Sequence, residues 1–248
     1  MSPTLSGVSG HALTAAPRPP RALERERSEP RKTLSPLGPL AVAALCVLAM
    51  AVVWALAELV PAIHLKDATA LYDFTTLNRP RVESIASFLL RLLEPGAFAL
   101  WGVALVAVAL AYRRPRVAIA AVVVLALAPV SADLLKPLLA HPHDHVRGVS
   151  IGASSWPSGH ATAATALALC AVLVAPRRLR PVVAVVGAVF VAAIAVSLLV
   201  LAWHMPSDVI GGMLLASLWM SLAVAALRAF ERVRPSRSYR APREPRSS

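Results

Sequence analysis

The sequence predicts an all-α, integral-membrane bundle of six helices with a tail at each end. Hydrophobic residues make up 57% of the 248 positions, more than a soluble domain of this length usually carries. They fall in long runs separated by short polar gaps, and most runs approach the ~20 residues that cross a hydrocarbon core. Arginines are concentrated in the tails and gaps, an arrangement typical of membrane-spanning chains.

The two ends of the chain differ from its middle in composition. Residues 1–36 are rich in Pro, Ser and Arg without periodicity, so we expect a disordered cytoplasmic tail. The next run, 37–60, has 24 residues, which is too long for the apolar part of a cleaved signal peptide and predicts the first span. Residues 231–248 repeat the tail composition. We therefore expect one six-span domain, 37–230, between two disordered cytoplasmic tails.

A mixed segment, 61–94, separates the first span from the others. Apolar residues at helical spacing within 82–93 predict an amphipathic helix lying on the membrane surface. The carboxylates of Asp67 and Asp73 are either functional groups or helix caps and solvated charges. The two cysteines lie inside apolar runs and predict no disulfide framework. Five more spans are expected at 95–112, 117–139, 161–174, 181–203 and 209–230.

The positions of lysine and arginine predict the orientation of the bundle. The N-terminal tail, the gaps 113–116 and 177–180, and the C-terminal end from Arg228 hold 19 of the 25 basic residues. These regions fall on one side of a six-span chain, so the positive-inside rule places both termini in the cytoplasm. Because the charge is divided among ends and gaps, we expect no nucleic-acid partner. The segments expected outside are 61–94, 140–160 and 204–208.

A polar turn, Trp156–His160, interrupts two apolar runs on this outer side. Pro157 and Gly159 break regular structure there. The Ser158 hydroxyl and the Gly159 N–H are suited to hold an oxyanion, and His160 is an acid or base that titrates near neutral pH. A plain interhelical turn is the alternative interpretation, and the choice depends on the residues around it.

Two other polar groups end on the same side. His204 and Asp208 are four residues apart, so one helical turn would bring them together, and a carboxylate so placed can orient a histidine. Lys136, near the end of the third span, is explained by snorkelling when taken alone. Two histidines at the outer ends of different spans, one with a carboxylate partner, indicate a site.

The combined pattern resembles that of the type 2 phosphatidic acid phosphatase superfamily, which shares its site with vanadium haloperoxidases. The pattern of that family is Lys-x6-Arg-Pro, then Pro-Ser-Gly-His, then Ser-Arg-x5-His-x3-Asp. The second motif matches fully at 157–160, and the first matches at Lys136. The third matches at Ser197, His204 and Asp208. Six spans with a site on the outer face agree with this resemblance.

The resemblance implies a role for each matching residue. His204 would attack phosphorus and form a phosphohistidine, while Asp208 orients it. His160 would protonate the leaving oxygen and then activate water. The phosphoryl oxygens would be held by Lys136, the Ser158 hydroxyl and the Gly159 N–H. Phosphoryl transfer of this kind depends on positioning and charge stabilisation, and we expect no metal and no cofactor.

The chain departs from the family pattern at both arginines. His143-Asp144 replaces Arg-Pro in the first motif, and Leu198 replaces the arginine of the third. Each arginine would give a bidentate, permanently charged contact, which leucine lacks and histidine only partly supplies. A loop rich in histidine either substitutes in part for the missing arginines or is only solvated. The polar residues of this loop are His141, His143, His145 and Arg147.

The expected function is a lipid-phosphate phosphatase acting on a phosphomonoester or pyrophosphate, such as an isoprenoid pyrophosphate or phosphatidate. We expect it in a bacterial cytoplasmic (plasma) membrane with its site on the extracytoplasmic face. Its partners would be the lipid substrate and membrane lipids, and the sequence does not set the oligomeric state. The alternative is a weak or silent relative that binds lipid phosphate head groups. Retention of His160, His204 and Asp208 favours the enzyme.

Overall fold

The computed structural model describes residues 35–140, 151–152 and 154–233. In this part of the chain there are eight α-helices and no β-strand, which confirms the all-α class. The helices are α1 (Leu37–Leu59), α2 (Pro61–Thr75), α3 (Pro80–Arg91), α4 (Pro95–Ala111), α5 (Pro115–Leu138), α6 (Gly159–Val174), α7 (Arg180–Val200) and α8 (Pro206–Val233). The two expected tails lie outside the described residues, apart from 35–36 and 231–233.

The lengths and apolar composition of the helices are those of a multi-pass membrane protein. Within the described ranges, α1, α5, α7 and α8 are long and apolar enough to cross a membrane. α3 and α4 reach that length only as a pair, and they meet at a bend of 56°. α6 is apolar but has 16 residues. All six predicted runs are helical, although 95–112 and 161–174 fall short of spanning length by themselves.

Prolines mark where most of these helices begin. α2, α3, α4, α5 and α7 carry proline in their first two positions, and α8 begins at Pro206. Proline is tolerated there because the first N–H groups of a helix have no partner within it. The predicted spans 181–203 and 209–230 are corrected accordingly. α7 ends at Val200 and α8 begins at Pro206, so His204 lies in the turn between them.

The segment 61–94 holds two helices instead of one. α2 was not predicted, because its sequence mixes charged and apolar residues without a clear apolar face. α3 is the expected amphipathic helix, and it packs on α7 through buried Ala86 and Leu90. Ile85 and Phe88 are each 61% exposed, so an apolar face points away from the bundle. Its location on the membrane surface stays a prediction.

α6 is the central helix of the bundle. It packs against α4, α5, α7 and α8, and residues 161–167 are all buried. Most of these residues are Ala or Thr, whose small side chains allow neighbouring helices to approach closely. At its C-terminal end, Arg114 donates to the Val174 carbonyl at 3.0 Å and Arg180 to the Ala175 carbonyl at 3.2 Å. The N-terminus of α6 lies at the opposite end of the bundle, beside the start of α8.

Candidate active site

The turn that was expected to hold an oxyanion caps the N-terminus of α6. The Ser158 Oγ accepts the Ala161 N–H at 3.3 Å, and the Ser158 carbonyl accepts the Thr162 N–H at 3.0 Å. Ser158 is fully buried. The Ser158 hydroxyl oxygen therefore caps the helix, and the hydroxyl proton remains available for donation to a ligand. The Gly159 N–H, at the first helical position, has no acceptor within the helix.

Two glycines allow this turn to pack against α8. A Cβ added at Gly212 would overlap the Ser158 carbonyl oxygen, and one added at Gly211 would lie 2.7 Å from the Trp156 ring. Because the backbones come this close, the Ser158 N–H donates to the Asp208 carbonyl at 3.0 Å. The first turns of α6 and α8 are thus joined by a main-chain hydrogen bond, which brings the second and third motifs together.

Asp208 holds the His204 side chain in the turn before α8. Asp208 Oδ2 lies 3.2 Å from His204 Nδ1 and accepts the Met205 N–H at 2.9 Å. The side chain of Asp208 is 1% exposed and that of His204 is 12% exposed, so little water competes for their contact. With Nδ1 engaged, Nε2 is the imidazole nitrogen that remains for chemistry.

The turn that carries His204 begins with a residue in an unusual conformation. Ala202 has a φ of 54°, in the left-handed region that favours glycine. The turn is closed by the Trp203 N–H, which donates to the Leu198 carbonyl at 3.0 Å. The Leu198 side chain, at an arginine position of the family pattern, is fully buried in the core. The Trp203 ring lies edge-on to the His160 imidazole, with 5.7 Å between ring centroids.

Lys136 lies near the end of α5, next to the first turn of α6. Its Nζ donates to Asp133 Oδ1 at 2.8 Å, and a Cβ added at Gly159 would be 3.5 Å from the same Nζ. The ammonium group therefore lies over a helix N-terminus, where both the helix dipole and the N–H groups favour an anion. An arriving anion would compete with Asp133 for the ammonium.

A cleft of about 710 Å³ opens beside these groups. Its polar lining comes from Ser87, Arg91, Glu94, Asp133, Lys136, Gly159, His160 and Trp203. Apolar residues such as Leu90 and Phe98 line other parts. His204 and Ser158 are not lining residues, so in this structure the cleft reaches His160 but stops short of His204.

Arg91 is a candidate that the sequence did not indicate. It is exposed at the end of α3 and lines the cleft from the bend between α3 and α4. Among the described residues, no carboxylate forms an ion pair with it. A basic residue in the last turn of an amphipathic helix is usually a solvated charge that complements the helix dipole, so no local signal marked this one.

His160 lies in the first turn of α6, outside the long spanning helices. Burial lowers the pKa of His160 below its ordinary value, and the charges of His204 and Lys136 lower it further. Asp133 and Glu94 act in the opposite direction. A histidine with a lowered pKa is a ready proton donor when it is protonated, and it is neutral over most of the physiological pH range.

Some predicted site residues lie outside the described part of the chain. These are His143 and Arg147, together with His141 and His145 of the same loop. Within the described ranges, no three His, Cys, Asp or Glu side chains are grouped so that they could hold a metal ion. The groups that the structure does bring together are those of the first turns of α6 and α8, the end of α5 and the bend after α3.

Comparison with known proteins identifies the family. A model of the PAP2 superfamily matches residues 6–232. The chain belongs to the PAP2 superfamily. This confirms the resemblance carried by the three motifs. No curated protein matches the chain.

A solved structure shares the fold of this PAP2 superfamily member. It is the crystal structure of a transmembrane PAP2-type phosphatidylglycerolphosphate phosphatase from Bacillus subtilis. The two chains superpose with a TM-score of 0.66 at 18% identity, over 77% of this chain and 98% of the other. At that identity the match shows a common fold, and the match covers nearly the whole of the other chain.

Proposed function

We propose that this protein is a membrane lipid-phosphate phosphatase that works through a phosphohistidine at His204. The observation that carries the proposal is the joined start of α6 and α8. There, Asp208 engages His204 through its side chain and Ser158 through its main-chain carbonyl. His160 in the first turn of α6 and His204 in the turn before α8 are thereby held near each other, and membership of the PAP2 superfamily supports a phosphoester hydrolase.

Each reacting group has a chemical assignment in the proposed reaction. His204 Nε2 attacks phosphorus while Asp208 supports the positive charge that develops on the imidazole. His160 gives its proton to the leaving oxygen as the bond to phosphorus breaks. A water molecule then loses a proton to His160 and attacks the phosphohistidine, which releases phosphate and restores both histidines. No step requires a metal ion in this scheme.

Positive charge and N–H donors hold the phosphate in this proposal. Lys136 and the Gly159 N–H lie at the N-terminus of α6, and the Ser158 hydroxyl can donate its proton. Arg91 adds a permanently charged guanidinium to the same cleft, where the motif arginines are missing. His143 and Arg147 are proposed as further ligands on their sequence positions alone.

The substrate class is proposed from the location and lining of the cleft. The lipid would place its phosphate at Lys136 while its apolar part lies along residues such as Leu90 and Phe98. Isoprenoid pyrophosphates and phosphatidate fit this description. The similar solved structure is named a phosphatidylglycerolphosphate phosphatase, so that lipid belongs in the same test panel. The distribution of arginines supports a cytoplasmic-membrane location with the site outside.

A silent relative that binds phosphate head groups is the second candidate. The pairing of Lys136 with Asp133 and the burial of Leu198 at an arginine position favour it, because both reduce the positive charge offered to a phosphate. Both candidate functions include binding of lipid phosphates, but only the phosphatase would hydrolyse them.

The deciding experiment is phosphate release by purified protein in lipid nanodiscs from the panel of lipid phosphates. We expect turnover by the wild type and none by His204→Ala, because the nucleophile is removed. His11→Ala, in the N-terminal tail, is the matched histidine control and should leave turnover unchanged. Binding of the lipids without phosphate release would support the silent relative. Equal turnover by the wild type and His204→Ala would exclude the proposed mechanism.

A further inference from the structure

Asp67 of α2 contacts α8 at the residue next to Asp208. Its Oδ2 accepts the Ser207 hydroxyl at 2.5 Å, and its Oδ1 accepts the Ser207 N–H at 3.2 Å. The two residues are 140 positions apart in the sequence. Asp67 is half-buried and Ser207 is buried, so both hydrogen bonds are partly shielded from water. These contacts agree with the cap interpretation of Asp67, in which its carboxylate accepts a helix N–H, and differ from those of a solvated charge.

The residue before α8 cannot cap the N-terminus of this helix with its side chain. The first N–H groups of a helix need acceptors from outside it, and Ser, Thr, Asp or Asn before the first turn usually supplies one. Here the preceding residue is Met205, which has no side-chain oxygen. Asp208 accepts the Met205 N–H, which is one half of a reciprocal capping arrangement. Asp67 provides the other half from α2 by accepting the Ser207 N–H.

The negative charge of Asp67 depends on the hydrogen bonds that Ser207 donates to it. Burial raises the pKa of Asp67, and the negative charge of Asp208 raises it further. The two hydrogen bonds from Ser207 act in the opposite direction, as does His64. A carboxylate held close to a second carboxylate is unfavourable unless donors stabilise its charge. The Ser207 donors meet that need and tie α2 to the first turn of α8.

We propose that Asp67 is a positioning residue for the His204–Asp208 pair and acts through Ser207. Ser207 is covalently joined to Asp208, whose side chain engages His204 and whose carbonyl accepts the Ser158 N–H. A shift of Ser207 therefore moves both histidine-bearing turns. The contacts stand by themselves, and the expected effect on turnover rests on the proposed phosphatase function.

The kinetic test compares Asp67→Ala, Ser207→Ala and the double variant with the wild type in the lipid-phosphate assay. A misplacement of the nucleophile predicts that kcat falls by roughly 10- to 100-fold with KM within about twofold. Because both residues act through one contact, the double variant should be no slower than the slower single variant. Asp67→Asn keeps one acceptor for the Ser207 N–H and should retain more kcat than Asp67→Ala. Asp73→Ala, an exposed carboxylate on the same helix, is the control and should match the wild type.

Hydrogen exchange provides a readout that does not require activity. We expect Asp67→Ala and Ser207→Ala to speed amide exchange at residues 205–209 while exchange in α5 stays as in the wild type. If the wild type hydrolyses no lipid phosphate, the proposed function fails and exchange alone decides the positioning role. Unchanged exchange at 205–209, multiplicative losses of kcat in the double variant, or a uniform rise in exchange across the bundle would each overturn the inference.

Discussion

Asp208 connects three parts of the site through two oxygen atoms. Its side chain engages His204 Nδ1 and the Met205 N–H, and its carbonyl accepts the Ser158 N–H. Because the same carboxylate holds the His204 ring and the adjacent Met205 N–H, the ring is fixed relative to its own backbone as well as to Asp208. We therefore expect Asp208 to set the direction of Nε2 as well as to support charge on the ring.

The lowered pKa of His160 predicts the pH dependence of the reaction. If protonated His160 is the general acid, kcat/KM should fall as the pH rises through the pKa of His160, which lies below the ordinary value of ~6.5. Asp133 raises that pKa, so Asp133→Asn should move the fall to still lower pH. The measurement is kcat/KM from pH 4.5 to 8.5, with Asp73→Asn as the control. A shift to higher pH in Asp133→Asn would contradict the assignment.

At the scale of helices, the contact between the Ser158 turn and α8 depends on Gly212. Gly212→Ala places a methyl group against the Ser158 carbonyl, a main-chain atom that cannot rotate away. Overpacking of this kind costs about 1–3 kcal/mol, and here it also separates the two histidine-bearing turns. We expect a lower thermal midpoint and a loss of turnover greater than the loss of folded protein.

Gly96→Ala is the matched control for that substitution. Gly96 lies at the start of α4, and a Cβ added there meets no atom within 4 Å. Alanine at this position should leave the thermal midpoint unchanged or slightly raise it, because alanine favours a helix over glycine. Full turnover by Gly212→Ala would show that the close approach is not needed for the reaction.

Seven of the eight described helices were predicted from local sequence, whereas α2, the ends of the helices and the contacts that support the site were not. Six helices were identified from long apolar runs, because a helix that crosses a membrane needs a continuous apolar stretch that is visible in the sequence. α7 ends just before Ala202, which adopts a left-handed backbone conformation. An alanine in the sequence does not predict that conformation. His160, His204 and Asp208 were found by motif spacing. Asp67 and Arg91 reach the site region from distant segments, and no periodicity within α2 or α3 marks them.

For the whole molecule, described arginines from three of the basic regions lie at the opposite end from the candidate site. Arg114 and Arg180 contact the C-terminal end of α6, and Arg228 near the end of α8 donates to the Ser35 carbonyl at 3.1 Å. The site is built on the N-terminal turns of the same two helices. The 16 residues of α6 alone separate the two ends by roughly 24 Å. This arrangement is the one expected if basic segments stay in the cytoplasm while the site faces outward.

Cysteine labelling of intact cells tests this orientation. Arg79→Cys, in the exposed connection between α2 and α3, should react with a membrane-impermeant maleimide from outside. Arg178→Cys, in the exposed connection between α6 and α7, should react only after lysis, because the positive-inside rule keeps that gap in the cytoplasm. The native Cys46 and Cys170 are buried, so the unsubstituted protein is the background control. Labelling of position 178 but not 79 in intact cells would reverse the topology and place the candidate site on the cytoplasmic face, where a lipid phosphate of the inner leaflet would be the substrate to test.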